Sequence, residues 1–579
     1  MTPDGRRYGS DVVVDSLQQH EIEYVVMNPG ASFRGLHDSL VNSAGGKPAM
    51  LEVPHEKIAV GMAHGFAKAT GRAIGVITHD LVGLLHATLG VYYAYVDRAP
   101  MLILGGAGPM DSARRRPWID WLHTANVQNT AVRDVTKWDD HPHSVAAIPD
   151  SLARAYRVAT SEPQGPVYVA LDADLQEEVV EPGPVVARTD ATPSLLAPEP
   201  AALAQLARTL CDAERPLLVT GSVCRDPAMW PVLVELAELL GAGVVDTNIR
   251  LNFPTCHPLN VTGTDVLAEA DAVLMLDVKD VGQHTQLLTK ADRGGAPQLA
   301  PGATLLDLGF GDLGISSWSA DHGSWFAAEQ RVVADTSVAL PPLLELCRDL
   351  VAGQPARVEA RDRRRAELGR LHAEARQRWR AVAERPQEGA LSTARLVAEV
   401  GEAIAGHDWV LTAGTGNGWA TKLWDFDAPY RHPGRSLGTA TQIGISLGVA
   451  LAHRGTGRLV VDLQPDGDLM FDASALWVAT RHRIPMLVVM VNNRAYNNDW
   501  VHQKHVAAVR GTPVGNAGVG IEIDDPAPDF ATLARAFDWY ATGPITRAEQ
   551  IGPAVARAAE IVATTGRPAL VDIVCRPDD

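Results

Sequence analysis

Residues 464–495 read QPDGDLMFDASALWVATRHRIPMLVVMVNNRA and follow RLVVDL at 458–463. The two β-branched runs, RLVVDL and PMLVVMV, have the length and composition of buried strands, and FDASALWVATRHR between them has helical spacing. A strand, a helix and a second strand of this size form a right-handed βαβ unit, so both strands point the same way in one sheet. Asp466 and Asn493 then stand just past the carboxyl ends of their strands, the edge of an open α/β sheet where ligands bind. A carboxylate and an amide oxygen suit magnesium, which is held by one or two such groups together with phosphates and water. Gly467 and the first turn of the helix, expected from Phe471, offer backbone N–H groups to a phosphate. Taken singly, Asp466 reads equally well as a helix cap and Asn493 as a turn residue; their matched positions favour the ligand reading.

The same pattern recurs along the chain. Apolar runs ending in Gly, Asn, Asp or Pro alternate with Ala/Leu-rich helical stretches: IEYVVMNPGA, AIGVITHD, PMLILGGAG and PVYVALDAD come first. PLLVTGS, AGVVDTN, AVLMLDVKD and TLLDLG follow, and DWVLTAGTG, RLVVDLQPDG, PMLVVMVNN and ALVDIVCRPD close the series. Three such sets predict an α/β protein of three doubly wound parallel-sheet domains, at 1–186, 197–350 and 388–579. A Pro-rich linker (187–202) separates the first two, and a charged helical connector (356–389) the last two. The 579-residue length agrees, being too great for one core.

Composition excludes several classes. A net charge of -18 argues against nucleic acid as the main partner. No apolar run is long enough to span a membrane. Five scattered cysteines without a C-x-x-C pair, and an N-terminal stretch without a signal-peptide core, lead us to expect a cytoplasmic protein. There is no G-x-x-x-x-G-K-[ST], and GTGNGW (414–419) has Trp419 where a dinucleotide fingerprint needs glycine. A nicotinamide oxidoreductase is therefore disfavoured.

Asp-Gly at 466–467, followed 27 residues after the aspartate by the second Asn of Asn492-Asn493, resembles the thiamine diphosphate motif. The resemblance implies that Asp466, Asn493 and the backbone oxygen of Ala495 bind Mg2+, with Gly467 and Asp468 beside the diphosphate. One departure is Pro465, where the family usually has glycine; proline removes an N–H. A second segment supports the resemblance: AMLEVPHEKIAVGMAHGFAKATGR (49–72) is similar to the family's pyrimidine-domain segment. It implies that Glu56 is the carboxyl group that activates the cofactor. By itself Glu56 reads as a dipole partner in a first helical turn. The order of segments is that of acetolactate synthases and simple 2-oxo acid decarboxylases, which names the domains pyrimidine-binding, central and diphosphate-binding.

Further expectations follow from the same resemblance. His79, 23 residues after Glu56, matches an active-site histidine of benzoylformate decarboxylase and is a candidate acid or base; His86 ranks below it, and His55 and His64 read as structural. Asn28 in NPGASFRG should reach the cofactor edge, Ser32 a substrate carboxylate, and Arg34 a surface ion pair. Gly414, Thr415 and Gly416 should lie along the diphosphate. Gly438, Thr439 and Ala440 in SLGTATQIGISLGVA should run under the thiazolium, where relatives have a larger residue than Thr439. Trp118 and Trp121 read as subunit packing or pocket lining. FAD is not expected, because MLDVKDVGQ (275–283) lacks the Arg-Phe-Asp-Asp-Arg run of flavin-binding relatives.

The expected activity is a lyase or carboligase that decarboxylates a 2-oxo acid and either releases an aldehyde or passes the acyl unit to a second carbonyl compound. The resemblance implies a homodimer or homotetramer with active sites at the subunit interface. Acetolactate synthase proper is the nearer alternative; a non-catalytic binding or regulatory protein of the same fold is the more distant one.

Overall fold

The computed structural model describes residues 6–180, 193–287, 296–313, 318, 326–352, 354–385 and 390–576. Residues 187–192 of the expected linker and 386–389 of the connector lie outside that set. The chain divides into two compact units. The first comprises residues 1–194 with 436–454 and 472–484, and the second 195–435, 455–471 and 485–579.

The first unit contains a six-stranded sheet of β1 (Tyr24–Met27), β2 (Ala49–Glu52), β3 (Gly75–Thr78), β4 (Met101–Ala107), β5 (Trp138–Asp140) and β6 (Pro166–Asp172). The order is β2-β1-β3-β4-β6-β5 and every pairing is parallel. β1, β3, β4 and β6 are buried at every position, which is why their sequences are continuous apolar runs rather than alternating ones. Helices α1 (Glu56–Thr70) and α2 (Asp80–Val96) follow β2 and β3, and α3 (Gln442–Ala452) packs on α1.

The α1–α3 contact is made backbone to backbone. A Cβ on Gly65 would fall 1.9 Å from the carbonyl oxygen of Ile445, and one on Gly448 2.0 Å from that of Met62. The G-x-x-x-G spacings at 61/65 and 444/448 put these glycines on one face of each helix, so the axes approach more closely than any side chain would allow. A left-handed Gly71 (φ 70°) then ends α1.

The second unit holds two five-stranded sheets. One is formed by β7 (Pro216–Thr220), β8 (Gly243–Asp246), β9 (Ala272–Leu276), β10 (Thr304–Gly309) and β11 (Gln330–Val333), in the order β8-β7-β9-β10-β11. The other is formed by β12 (Trp409–Leu411), β13 (Leu459–Pro465), β14 (Leu487–Asn492), β15 (Tyr540–Ile545) and β16 (Ala569–Val574), in the order β12-β13-β14-β16-β15. All their pairings are parallel. The charged connector is a helix at Pro355–Glu384. The α/β class with several parallel sheets is thus as expected.

One local expectation is corrected. The helix after β13 begins at Asp466 itself, as α4 (Asp466–Phe471), and a break precedes α5 (Ala475–Arg481). At the break Asp472 turns to pair with Lys57, its Oδ2 lying 3.1 Å from Nζ, within the first unit. Among the described residues no helix is long and apolar enough to cross a membrane. The five cysteines are free thiols.

Candidate active site

In the first unit two strand ends and a helix converge on Glu56. β2 delivers the carboxylate at the first turn of α1, where it is 2% exposed. The residue after β1, Asn28, donates from Nδ2 to Glu56 Oε1 at 3.2 Å. From α2, His86 Nδ1 lies 3.2 Å from Oε2. Both oxygens of a buried carboxylate are thereby occupied, as burial of a charge requires. Gly83 makes room: a Cβ there would sit 2.6 Å from Oε1.

His79, directly after β3, is the second sequence-predicted residue at this edge. Its Nδ1 is 2.9 Å from the Ser32 hydroxyl, and its ring meets those of Phe33 and His123 edge-on at 6.4 and 5.1 Å. Burial, then the neighbouring His123, holds its pKa below the usual imidazole range, so the ring is neutral near pH 7. A neutral ring bonded to a hydroxyl can accept or relay a proton. Gly30 lets the loop after β1 pass over it, since a Cβ there would lie 2.5 Å from the ring.

Behind His79 stands Asp80, not singled out in the sequence. It is 1% exposed, has φ 48°, and burial pushes its carboxyl up to about 7. Around this edge the other expectations are placed as well. Arg34 pairs bidentately with Glu177 in an exposed ion pair. His64 is bonded to Asp97 in the core at 2.7 Å, a structural role. Trp118 and Trp121, 70% and 74% exposed, are not core residues of this chain.

Gly438, Thr439 and Ala440 also belong to the first unit, ahead of α3. A Cβ on Gly438 would collide with the Tyr93 ring at 1.7 Å, and Ala440 adopts φ 66°. Thr439 is exposed.

The second unit carries the other predicted residues on the carboxyl edge of the β12–β16 sheet. Asp466 follows β13 and is 1% exposed. Its Oδ1 accepts the N–H of Gly467 at 2.8 Å and its Oδ2 that of Arg494 at 2.5 Å. Burial, opposed by these bonds, raises its carboxyl to about 6. Asn493 follows β14, and its Oδ1 accepts the N–H of Ala495 at 3.0 Å. Pro465 and Val491 are register partners in the parallel pair, so Asp466 and Asn493 follow one and two residues after the same rung. Pro465 stands beyond the last register pair with β12, so its missing N–H leaves no gap in that ladder. Asp468 accepts from Gln464 Nε2 at 3.3 Å.

The loop after β12 shares this edge. Gly416, Asn417 and Gly418 have consecutive φ values of 56°, 53° and 79°, a reversal that turns the chain into the helix Trp419–Leu423. Thr415 Oγ1 accepts the N–H of Gly418 at 3.1 Å. Gly414, Thr415 and Gly416 thus form a strand-end turn.

The Asp466 loop fits a hard cation bound to a diphosphate. It combines one buried carboxylate, one amide oxygen and a backbone carbonyl. Gly467 lets the loop pack against Tyr496: a Cβ there would meet the ring at 2.7 Å. Among the described residues no three His, Cys, Asp or Glu side chains cluster as a metal site of another kind.

Comparison with known proteins matches both halves of this arrangement. Residues 7–130 match the N-terminal, and residues 412–573 the C-terminal, TPP-binding domain of thiamine pyrophosphate enzymes. The chain belongs to the thiamine diphosphate-dependent enzyme family. It is 25% identical to benzoylformate decarboxylase of Pseudomonas aeruginosa, over 90% of each chain. It is 24% identical to the chloroplastic acetolactate synthase 1 of Zea mays, over 99% of this chain and 86% of the relative. The thiamine diphosphate-dependent 4-hydroxybenzoylformate decarboxylase of Rhodococcus jostii RHA1 has the same fold (TM-score 0.75, 20% identity, 99% and 100% of the chains covered). So has benzoylformate decarboxylase from Polynucleobacter necessarius (TM-score 0.74, 18% identity, 98% and 99% covered).

Proposed function

We propose that this protein is a thiamine diphosphate- and magnesium-dependent lyase or carboligase acting on a 2-oxo acid. It releases an aldehyde or passes the acyl unit to a second carbonyl compound. The observation that carries this reading is Glu56, a buried carboxylate at a sheet's ligand edge with Asn28 on one oxygen. When bound, the cofactor supplies a cationic thiazolium that takes up the electron pair left as carbon dioxide departs. The chain's own residues bind, orient and move protons around it.

In this reading Glu56 hydrogen-bonds the cofactor's pyrimidine ring and Asn28 keeps the carboxylate in place. His79, neutral and bonded to Ser32, accepts and returns the proton of the reacting oxygen or carbon. Asp466, Asn493 and the Ala495 carbonyl hold Mg2+. Gly467, Asp468, Gly414, Thr415 and Gly416 line the diphosphate, and Gly438, Thr439 and Ala440 border the thiazolium. Residues 1–186, 197–350 and 388–579 form the pyrimidine-binding, central and diphosphate-binding domains. The protein assembles at least as a homodimer with active sites at the interface, acts in the cytoplasm, and does not depend on FAD.

The test is titration calorimetry of metal-free protein with thiamine diphosphate, with and without Mg2+, beside Glu56→Gln. Magnesium-dependent binding retained in the variant, with loss of hydrogen–deuterium exchange at thiazolium C2, supports the reading. A screen of aryl and alkyl 2-oxo acids then assigns the donor. Absence of binding in both proteins would point instead to a non-catalytic relative. Copurifying flavin with pyruvate turnover would make it an acetolactate synthase proper.

A further inference from the structure

The second hydrogen bond on Glu56 comes from a histidine whose ring is itself held. His86 lies seven residues beyond His79, and Gly83 lies between them, so all three fall on one face of α2. The His86 ring stacks on His55 at 4.7 Å and 21°. His55, the N-cap of α1, accepts the Lys57 N–H on Nδ1 at 3.1 Å, so that nitrogen carries no proton and the ring is neutral. Burial, and then the facing His86, also holds His55 below the usual imidazole range. Of the two stacked rings, His86 is the one that faces the carboxylate.

We propose that His86 is a positioning residue for Glu56. Its Nδ1–H donates to Oε2 while Asn28 donates to Oε1, and the His55 stack fixes the plane in which the imidazole approaches. The two donors lock the carboxylate in one orientation. The other titratable groups facing the pair are His55 and Lys57 on α1, His79 at the start of α2, and Asp472 against Lys57. The proposal rests on the reading of Glu56 as the cofactor-facing carboxyl.

Two measurements on the full-length protein test it. In the cofactor-free protein, 15N chemical shifts of the His86 ring should report the Nδ1–H tautomer in wild type. Glu56→Gln, whose amide does not demand a donor at that position, should shift that signal. A ring that is Nε2–H in wild type and unmoved by Glu56→Gln overturns the proposal.

In the cofactor-loaded protein, thiazolium C2 exchange is followed. His86→Leu should slow it by about tenfold, less than the ~10²–10⁴-fold that a group transferring the proton itself contributes. His86→Asn, whose amide N–H can still donate to Oε2, should recover most of the rate. His86 is 57% exposed at the side chain, so neither change empties a core. Failure of the Glu56 reading looks different: exchange would then persist in Glu56→Gln. Exchange abolished in Glu56→Gln but unchanged in rate by His86→Leu would overturn the His86 proposal alone.

Discussion

Around Glu56 the polar contacts run from side chain to side chain, and each comes from a different part of the sequence: Asn28, His86 and, one strand further, the Ser32–His79 pair. Around Asp466 they run to main-chain N–H groups, those of Gly467 and Arg494, and Asn493 likewise bonds the backbone of Ala495. The first arrangement can be retuned by substituting one residue. The second is set by strand register and tight turns, and a substitution there disturbs the fold before it adjusts the chemistry. The contrast suits the roles proposed for them. A proton-handling group needs neighbours that shift its protonation, whereas a metal–diphosphate site needs fixed oxygens and N–H groups.

The largest test of the contrast is Glu56→Gln. It should lower thiazolium C2 exchange by about 10²–10⁴-fold while leaving cofactor affinity and stability near wild type. Asp466→Ala should do the reverse. Calorimetry should show Mg2+-dependent cofactor binding weakened by more than the roughly 10–100-fold lost when only an outer-shell partner is removed. Urea unfolding should show a loss as well, because two backbone N–H groups lose their partner at about 1–3 kcal/mol each. Equal stability loss in both variants would erase the distinction.

Gly65→Ala probes the scaffold that presents Glu56. With the Ile445 carbonyl 1.9 Å from the added Cβ, α1 and α3 must separate. The cost should be about 1–3 kcal/mol in urea unfolding, with C2 exchange reduced because α1 carries Glu56.

The last effect concerns pH. Asp80 is raised to about 7 by burial, so the folded chain holds its proton more tightly than the unfolded one. The resulting stabilisation is complete below the unfolded value of about 4 and is lost as pH rises through about 7. Asp80→Asn should therefore gain on wild type between pH 5 and pH 8 by about 2–3 kcal/mol in urea unfolding. The same relative stability at both pH values would show that Asp80 does not titrate in this window.

The alternation of apolar runs with helices was sufficient to place Asp466, Asn493, Glu56 and His79 at strand ends, because parallel strands buried on both faces cannot hide their pattern. Helix boundaries were less legible. The helix after β13 starts at Asp466 and breaks before α5, where Asp472 pairs with Lys57, a partner remote in the sequence that no local propensity reports. His86 was ranked below His79 although its spacing from His79 and Gly83 put it on the same helix face. Sequence spacing shows which residues share a face, not what that face meets.

The sequence alone determined the fold class and the strand ends at which Asp466, Asn493, Glu56 and His79 stand, because burial, turn geometry and helical period act over a few residues. Only the tertiary structure decided that Asn28 and His86 hold the two oxygens of Glu56, that Ser32 bonds His79, and that Asp80 is a buried acid. Those are contacts between residues tens of positions apart. Hydrogen bonds of about 3 Å and the desolvation of a carboxylate depend on packing that no local pattern encodes.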